Sequence, residues 1–318
     1  MNWDKLRVLV TGCSGFLGAA VCRTLLDRGA SVIGIDPAGG GSPCLTVAGL
    51  ADRFPIAMHP ARQLPDGAYG AEVVIHLAGM SHIRACADDP AHAWSANVAE
   101  TWWLLETLRR AMLRPSAIVI ASSNHVYGRM ADDQGTWMES DSLGALDVYG
   151  ASKAMQDRLG AVYAAQWGLP VIALRHTNAY GPGDPHESHL VTGMLRGLAR
   201  GERPKLRSDG TSKKGYLYVD DVVSAYLVAV EAAMNGVTGG LNVYPEHSIS
   251  AFDLARMCMR VAGHEGDPEV GPPSFSSGYR EHLSSERIRA LGWKNAVPLY
   301  AGLTRALEWE RRHLGWAA

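Results

Sequence analysis

The fold is decided by the stretch Thr11-Gly12-Cys13-Ser14-Gly15-Phe16-Leu17-Gly18, which follows a short apolar run and opens a helical pattern. A turn this tight needs a residue without a Cβ at Gly12, and Gly15 lets the backbone approach a pyrophosphate. Gly18 lets the helix pack closely on the preceding strand. The start of the helix offers free amides and a partial positive charge to phosphate groups. The stretch therefore predicts a dinucleotide-binding turn that uses all residues from Gly12 to Gly18.

On both sides of this turn, short apolar runs alternate with longer helical patterns, as in a parallel α/β sheet. The predicted strands are Arg7–Thr11, Ser31–Ile35, 72–77, Ala117–Ala121 and 170–175, with a weaker one at 55–58. The predicted crossover helices are Phe16–Asp27, 91–112 and 150–167. Right-handed crossovers then predict a doubly wound parallel Rossmann sheet.

The second half of the chain has shorter elements. We predict strands at 214–220 and 240–244, and helices at 249–262 and 299–313. The glycine run 39–43 reads as a flexible surface loop. No linker separates the halves, so a smaller C-terminal substrate domain is expected to interleave with the sheet. The predicted NAD-binding domain is 1–175 plus about 216–244, and the predicted substrate domain is about 176–215 plus 245–318.

Composition excludes several functional classes. Thirty Lys and Arg residues oppose 32 Asp and Glu residues, a net charge of −2, so the basic surface of a nucleic-acid-binding protein is not expected. No apolar stretch approaches the roughly 18 residues of a membrane span, and the N-terminus does not resemble a signal peptide. The 5 cysteines are scattered without CxxC spacing, which favours reduced thiols and no metal site. We expect a cytoplasmic protein.

Asp36 closes the second predicted strand, 18 residues after Gly18. A carboxylate there accepts hydrogen bonds from the adenosine ribose hydroxyls and repels a 2′-phosphate, which favours NAD over NADP. The segment His76-Leu77-Ala78-Gly79 ends another strand with small residues that can line the cofactor. His76 itself is expected to be structural, whereas Leu77, Ala78 and Gly79 are predicted to contact NAD.

Tyr149 and Lys153 are four residues apart on a predicted helix and therefore lie on one face. A phenol with a pKa near ~10 is a poor base at neutral pH. The Lys153 cation and a positively charged nicotinamide ring favour the phenolate, so Tyr149 can accept a proton from a sugar hydroxyl. Ser123 follows the fifth strand, at the carboxyl edge where ligands bind, and its hydroxyl can share that proton.

These motifs together resemble the extended short-chain dehydrogenases, in the NAD-dependent epimerase/dehydratase family. The resemblance covers nearly the whole chain and rests on the glycine turn, Asp36, the HLAG segment and four further motifs: 122–128 (SSNHVYG), 149–153 (YGASK), 175–183 (RHTNAYGPG) and 208–221. It implies that Ser123, Tyr149 and Lys153 are the catalytic residues and that the substrate is a nucleotide-diphosphate sugar.

The resemblance also implies further contacts. Asn97 and Ser122 are expected beside the cofactor. The predicted substrate-binding residues, besides Ser123 and Tyr149, are Ser81, Asn124, His125, Asn178, Lys214 and Arg280. Lys214 stands where relatives usually carry an arginine, so the charge is kept but the bidentate geometry is lost. Helices 91–112 and 150–167 are expected to pair across a homodimer as a four-helix bundle, although Trp102 and Trp103 can also be core residues.

The sequence identifies the reaction less precisely than it identifies the family. Dehydratases of this kind usually place an acidic residue directly after the catalytic hydroxyl, and this chain has Asn124, which cannot donate a proton as an acid. His125 can act as a catalytic base or only shape the pocket. A 4-epimerase needs only Ser123, Tyr149, Lys153 and bound NAD, and is the first choice. The alternatives are a 4,6-dehydratase, a uronate dehydrogenase or 4-ketoreductase, suggested by the Ser-Asn-His run, and a non-catalytic NAD-binding regulator.

Overall fold

The computed structural model describes residues 1–50, 52–58, 64, 70–129, 135–274 and 276–313. The strands in these residues are β1 (Arg7–Thr11), β2 (Ser31–Ile35), β3 (Ile56–Ala57), β4 (Val73–His76), β5 (Ala117–Ala121), β6 (Val171–His176), β7 (Asn178–Tyr180), β8 (Lys213–Lys214), β9 (Tyr216–Tyr218), β10 (Gly239–Val243) and β11 (Ile249–Ser250). The helices are α1 (Phe16–Asp27), α2 (Pro43–Val47), α3 (Ile83–Asp88), α4 (Pro90–Trp94), α5 (Glu100–Arg110), α6 (Val148–Trp167), α7 (Leu190–Ala199), α8 (Val219–Met234), α9 (Ala251–Ala262), α10 (Glu286–Ala290) and α11 (Leu299–Arg312).

The central sheet has seven parallel strands in the order β10-β6-β5-β4-β1-β2-β3. This order confirms the doubly wound Rossmann prediction. The connections reverse direction between β1 and β4, and ligands of such sheets bind at the carboxyl ends of the strands on either side of that point. The glycine turn follows β1, and the HLAG segment leaves β4, so both lie at this position.

Alternation along the strands places one apolar core on each face of the sheet. Val8 and Val10 contribute to the core that α1 and α8 cover, whereas Leu9 belongs to the core that α5 and α6 cover. All three side chains are fully buried. Burial on both faces explains why the strands of the sheet are nearly continuous apolar runs.

The predicted helix 91–112 is interrupted by a π turn. Helix α4 is followed by a π-helical segment, Ser95–Ala99, and then by α5. Within this turn the Asn97 carbonyl accepts a hydrogen bond of 2.7 Å from the Thr101 hydroxyl. Such turns often occur at functional sites, and this one places the fully buried Asn97 side chain behind the HLAG segment.

Two predictions about local structure were wrong. The strand expected at 214–220 is broken at Gly215, where a Cβ would lie 2.6 Å from the Tyr244 ring, and the chain changes partner from β11 to β7. Its last residues instead begin α8, since Asp220 and Asp221 favour the positive end of a helix. The glycine run at 39–43 is also not an open loop: Gly39–Gly41 forms a 3₁₀ turn and Ser42 caps α2.

Three helices from the second half of the chain form a layer beside the sheet. Helices α7, α9 and α11 pack on one another, and a buried ion pair joins Arg196 to Glu310 at 3.1 Å. The Asp221 carboxylate on α8 accepts hydrogen bonds from the amides of Ala296 and Val297, which ties the C-terminal segment to the sheet region. The division of the chain into two domains stays a prediction. No helix in the described part of the chain has the length and apolar composition required to cross a membrane.

The strand–turn–helix packing can be tested with one methyl group. A Cβ at Gly18 would lie 2.0 Å from the Gly12 carbonyl oxygen, which is backbone and cannot move aside. We expect Gly18→Ala to lower the free energy of unfolding by about 1–3 kcal/mol, the usual cost of overpacking. Urea unfolding followed by circular dichroism measures this. Gly41→Ala is the control, because no atom of the described residues lies within 4 Å of its added Cβ; equal stability of the two variants would contradict the packing argument.

Candidate active site

The glycine turn forms an open cradle at the start of α1. Gly12 has φ +70°, and a Cβ there would lie 2.6 Å from the Ala78 nitrogen, so the turn packs directly on the HLAG segment. Gly15 caps α1 without a side-chain hydrogen bond, and it is exposed. Among the residues that the structure describes, the atom close to a Cβ at Gly15 would be the Gly12 oxygen, at 3.4 Å. The first amides of α1, from Phe16 and Leu17, are thus available to an anion.

The cradle is held from behind by the glycine run. The Ser14 hydroxyl donates to the Gly39 carbonyl at 2.7 Å, and the Ser42 hydroxyl donates to the Ser14 carbonyl at 2.6 Å. Asp36 accepts from the Ser14 amide at 3.0 Å and from the Ala38 amide at 2.9 Å, which fixes its carboxylate beside the cradle. Cys13 is fully buried, and burial raises the pKa of its thiol to about 12, so this side chain is an inert core residue and contributes only its backbone.

Asn97 and Gly79 form the neighbouring wall. The Asn97 amide accepts from the Met80 nitrogen at 2.8 Å and donates to the Ser152 hydroxyl at 2.8 Å. Gly79 has φ +149°, and a Cβ there would lie 2.4 Å from Asn97 Oδ1 and 3.5 Å from Lys153 Nζ. The HLAG backbone therefore runs directly against the predicted catalytic lysine.

The structure brings Ser123, Tyr149 and Lys153 together. Ser123 begins a 3₁₀ turn at the end of β5, and its Oγ accepts from the His125 amide at 3.2 Å. Tyr149 and Lys153 lie in the first turns of α6, which Asp147 caps by accepting from the Gly150 amide at 2.8 Å. The Tyr149 phenol lies close enough to Ser123 for the serine hydroxyl to affect its pKa. All three side chains are buried.

Burial controls the protonation of this group. It raises the pKa of Tyr149 to about 12, although the nearby Ser123 hydroxyl opposes the shift. It lowers the pKa of Lys153 to about 8. The expectation that Lys153 and a positively charged nicotinamide ring together bring the phenol into the working range stays a prediction. Desolvation favours the neutral form of both groups, and further positive charge is needed to produce a phenolate.

A buried network that sequence reasoning missed holds Lys153 in place. Its Nζ donates to the Ala121 carbonyl at 3.0 Å and to Gln156 Oε1 at 2.9 Å. Gln156 in turn donates to the Thr101 hydroxyl at 2.8 Å. One of the three ammonium protons is left for a ligand. The only signal for Gln156 in the sequence is its position three residues after Lys153.

His76 completes this network from the other side. The Thr101 hydroxyl donates to the Asn97 carbonyl, so it can only accept from His76 Nε2, at 2.8 Å. His76 Nδ1 is then an acceptor for the Thr11 hydroxyl, at 2.6 Å. This assignment makes the ring neutral, in agreement with burial, which lowers its pKa to about 3. His76 is structural, as expected.

The predicted sugar-binding residues only partly converge. Asn178 donates to the Gly215 carbonyl at 3.0 Å, so it lies beside Lys214. The Lys214 charge acts on His125, whose ring packs edge-on against Tyr149 at 5.6 Å. Burial first, and Lys214 second, lower the pKa of His125 to about 4. The expectation that this imidazole titrates near neutrality was wrong, and a neutral ring with so low a pKa is a weak base.

Two predicted residues face away from the catalytic group, and a third is exposed. Arg280 pairs with Lys213 in a bridge and lines a separate cavity of about 440 Å³. The Ser122 hydroxyl donates to Asp157 at 2.9 Å, so only its backbone can face the cofactor site. Ser81 is exposed, just before the residue that caps α3. Glu281, which the sequence analysis did not select, is instead buried next to Asn124 and Lys214.

Comparisons with known proteins agree with this geometry. The model of the NAD-dependent epimerase/dehydratase family matches residues 8–243. The chain is 29% identical to a UDP-glucose 4-epimerase of Mycolicibacterium smegmatis, over 96% of this chain and 99% of that protein. It is 30% identical to a dTDP-glucose 4,6-dehydratase of Streptomyces griseus, over 97% and 95%. The solved UDP-glucose 4-epimerase of Thermotoga maritima, with UDP-glucose, superposes with a TM-score of 0.85 at 25% identity, over 96% and 99% of the two chains.

The neutral state of His76 predicts a pH-dependent stability. Because its pKa falls from 6.5 to about 3 on folding, only the unfolded chain takes up a proton between these values, and stability is lost as the pH falls below 6.5. From pH ~7.5 to ~5.5 this residue should cost about 1.4 kcal/mol. The unfolding free energy of the unchanged protein should fall over this pH range. We expect that of His76→Gln to fall by about 1.4 kcal/mol less. His92→Asn, at an exposed position, is the control; parallel profiles for the His76 variant and the unchanged protein would contradict the assignment.

Proposed function

The chain belongs to the NAD-dependent epimerase/dehydratase family of nucleotide-sugar enzymes, and from this premise we propose that it is a nucleotide-sugar 4-epimerase. The proposed reaction oxidises the sugar at carbon 4 to a transient ketone and reduces it from the opposite face. The observation that carries the proposal is a complete, buried Ser123-Tyr149-Lys153 group that has Asn124, and no acid, directly after the serine.

The residues present fit NAD as the cofactor. The open glycine cradle and the uncapped α1 amides suit a pyrophosphate, and the Asp36 carboxylate suits ribose hydroxyls. Lys153 has one proton available beside Gly79, where the nicotinamide ribose would lie. When bound, NAD supplies the hydride acceptor and a positive charge close to the phenol.

The protein's own groups then manage the proton. Ser123 lies next to Tyr149, so a sugar hydroxyl placed between them can pass its proton to the phenolate. Lys153 stabilises that phenolate, and its held position keeps the charge within the site. The same proton returns when the ketone is reduced. No further acid or base is required, which is why the missing acid at position 124 is compatible with epimerisation.

A 4,6-dehydratase is the second candidate, because a relative with that name is 30% identical over 97% of this chain. Elimination needs a proton donor for the departing hydroxyl and a base for the neighbouring carbon. Asn124 cannot be that donor, and the low pKa of His125 makes it a poor base. The low pKa of His125 also argues against a uronate dehydrogenase in which His125 is a catalytic group. The buried catalytic group argues against a non-catalytic NAD-binding regulator.

The substrate is proposed to be a nucleoside-diphosphate sugar. Lys214 and Asn178 meet beside the catalytic group, and we assign them to the diphosphate and sugar. Arg280 is left out of this assignment since it faces another cavity. We also propose a cytoplasmic homodimer. Helices α4 to α6 present exposed apolar side chains around a groove of about 580 Å³, namely Trp94, Trp102 and Met155.

The catalytic proposal predicts that Tyr149→Phe loses turnover and keeps the cofactor. Removing a general acid–base group should lower kcat by about 10²–10⁴-fold, while NAD binding stays within about twofold because the cradle is untouched. UDP-glucose and UDP-galactose interconversion is measured by chromatography, and bound NAD by denaturing release. Tyr300→Phe, at an exposed position on α11, is the control. Normal turnover of Tyr149→Phe would exclude the mechanism.

The dimer proposal predicts that charge on the apolar groove separates the subunits. Trp102 is 43% exposed and Met155 is 52% exposed. A Trp102→Arg/Met155→Arg variant should sediment as a monomer, because a stable interface does not tolerate unpaired charge at its centre. Tyr300→Arg, on the distant α11, should sediment like the unchanged protein. A monomer for the unchanged protein, or a dimer for the double variant, would contradict this surface as the interface.

A further inference from the structure

Glu281 lies at a short bridge between two segments of the second half. Its amide donates to the Lys213 carbonyl at 3.1 Å, next to the bridge that pairs Lys213 with Arg280. Because neighbouring side chains of extended segments point to opposite sides, Lys213 and Arg280 face their separate cavity. Lys214 and Glu281 instead face the catalytic side. Glu281 is 2% exposed.

The two oxygens of this carboxyl differ. Oε1 accepts from the Thr177 hydroxyl at 2.7 Å and from the Gly215 amide at 3.4 Å. Oε2 is buried and has no hydrogen-bond partner of normal geometry. Among the described residues it shares this condition with only the Tyr226 hydroxyl. A buried polar atom without a partner is costly, so its retention indicates a partner that arrives from outside the chain.

The neighbours of Glu281 place it at the sugar site. The Asn124 amide lies against the carboxyl, and Asn124 also accepts from the Ser123 hydroxyl at 3.4 Å. Lys214, whose charge acts on His125, acts on Glu281 as well. Asn124 thus connects Glu281 to Ser123. Its side chain alone separates the Glu281 carboxyl from the Ser123 hydroxyl.

The protonation of Glu281 follows from its contacts. Burial raises its pKa, and Lys214, Thr177, Gly215 and Asn124 only partly oppose this. Tyr216, Tyr244 and Tyr279 also lie close enough to interact with its charge. Oε2 can therefore accept a hydrogen bond from a ligand when the carboxyl is ionised and donate one when it is protonated.

We propose that Glu281 is a specificity-determining residue that binds, through Oε2, a sugar hydroxyl on a carbon next to the reacting one. The contacted group is the hydroxyl of carbon 3 or of the carbon 5–carbon 6 arm. This assignment rests on the proposed function for the position of the sugar, with carbon 4 at Ser123 and Tyr149. It makes Glu281 a binding residue and assigns it no proton transfer in the reaction.

Binding to a variant that does not turn over tests the assignment. Tyr149→Phe protein with NAD is titrated calorimetrically with UDP-glucose, UDP-3-deoxyglucose, UDP-xylose, which lacks carbon 6 and its hydroxyl, and UDP alone. With Glu281 present, we expect UDP-glucose to bind about 10-fold to 100-fold more tightly than the analogue that lacks the contacted hydroxyl. Adding Glu281→Leu should abolish this difference, whereas the isosteric Glu281→Gln, which keeps a hydrogen-bonding group of the same shape, should retain most of it.

UDP alone is the folding control, since all three proteins should bind it equally. A Glu281→Leu protein that binds UDP normally and still discriminates against both analogues would overturn the assignment and leave Glu281 a structural residue. The assay does not depend on turnover. If the unchanged protein fails to interconvert UDP-glucose and UDP-galactose but the discrimination depends on Glu281, the 4-epimerase proposal fails while the sugar contact stands.

Discussion

A buried ammonium beside a buried phenol is the constraint on which the site depends. Lys153 is 4% exposed, and in the residues that the structure describes no carboxylate forms an ion pair with it within 4 Å. Two of its protons are satisfied by a carbonyl and by Gln156, which solvates the cation without neutralising it. A carboxylate there would hold the charge of Lys153 and weaken its effect on Tyr149. The neutral network through Gln156 and Thr101 leaves that charge available to a phenolate.

The Rossmann sheet places this group by bringing distant segments to one edge. The glycine turn after β1, the HLAG segment after β4 and Ser123 after β5 all lie at the carboxyl ends of neighbouring strands. Helix α6 then supplies Tyr149 and Lys153, and the π turn supplies Asn97. Each contact across the edge is a close one: Gly12 packs on Ala78, and Gly79 on Asn97. The cradle and the catalytic group are therefore parts of one packed unit, joined through His76.

Local spacing predicted the residues that act within one turn or one helix. The turn from Gly12 to Gly18, and the pair Tyr149 and Lys153, depend on short-range geometry that the chain alone specifies. Partners distant in sequence could not be predicted in this way: Glu281 is 104 residues from Thr177, to which it is hydrogen-bonded. The alternation along one short bridge places Arg280 on the opposite side from Lys214 and Glu281, which the sequence could not show; its role as a phosphate partner stays a prediction. Titration also depends on burial, which is why the expectation that His125 titrates near neutrality was wrong.

The account's central claim is that the hydride leaves the sugar and returns to it within one site. An enzyme of this kind must retain its cofactor through the cycle, whereas a one-way dehydrogenase exchanges it with solution. The most direct measurement is the NAD and NADH released on denaturing freshly purified protein, repeated after incubation with UDP-glucose and removal of free nucleotides. We predict nearly one retained cofactor per chain in both samples, with no NADH in the surrounding solution. An empty site, with NADH accumulating in solution when NAD and sugar nucleotide are added, would contradict the account and indicate a net oxidation.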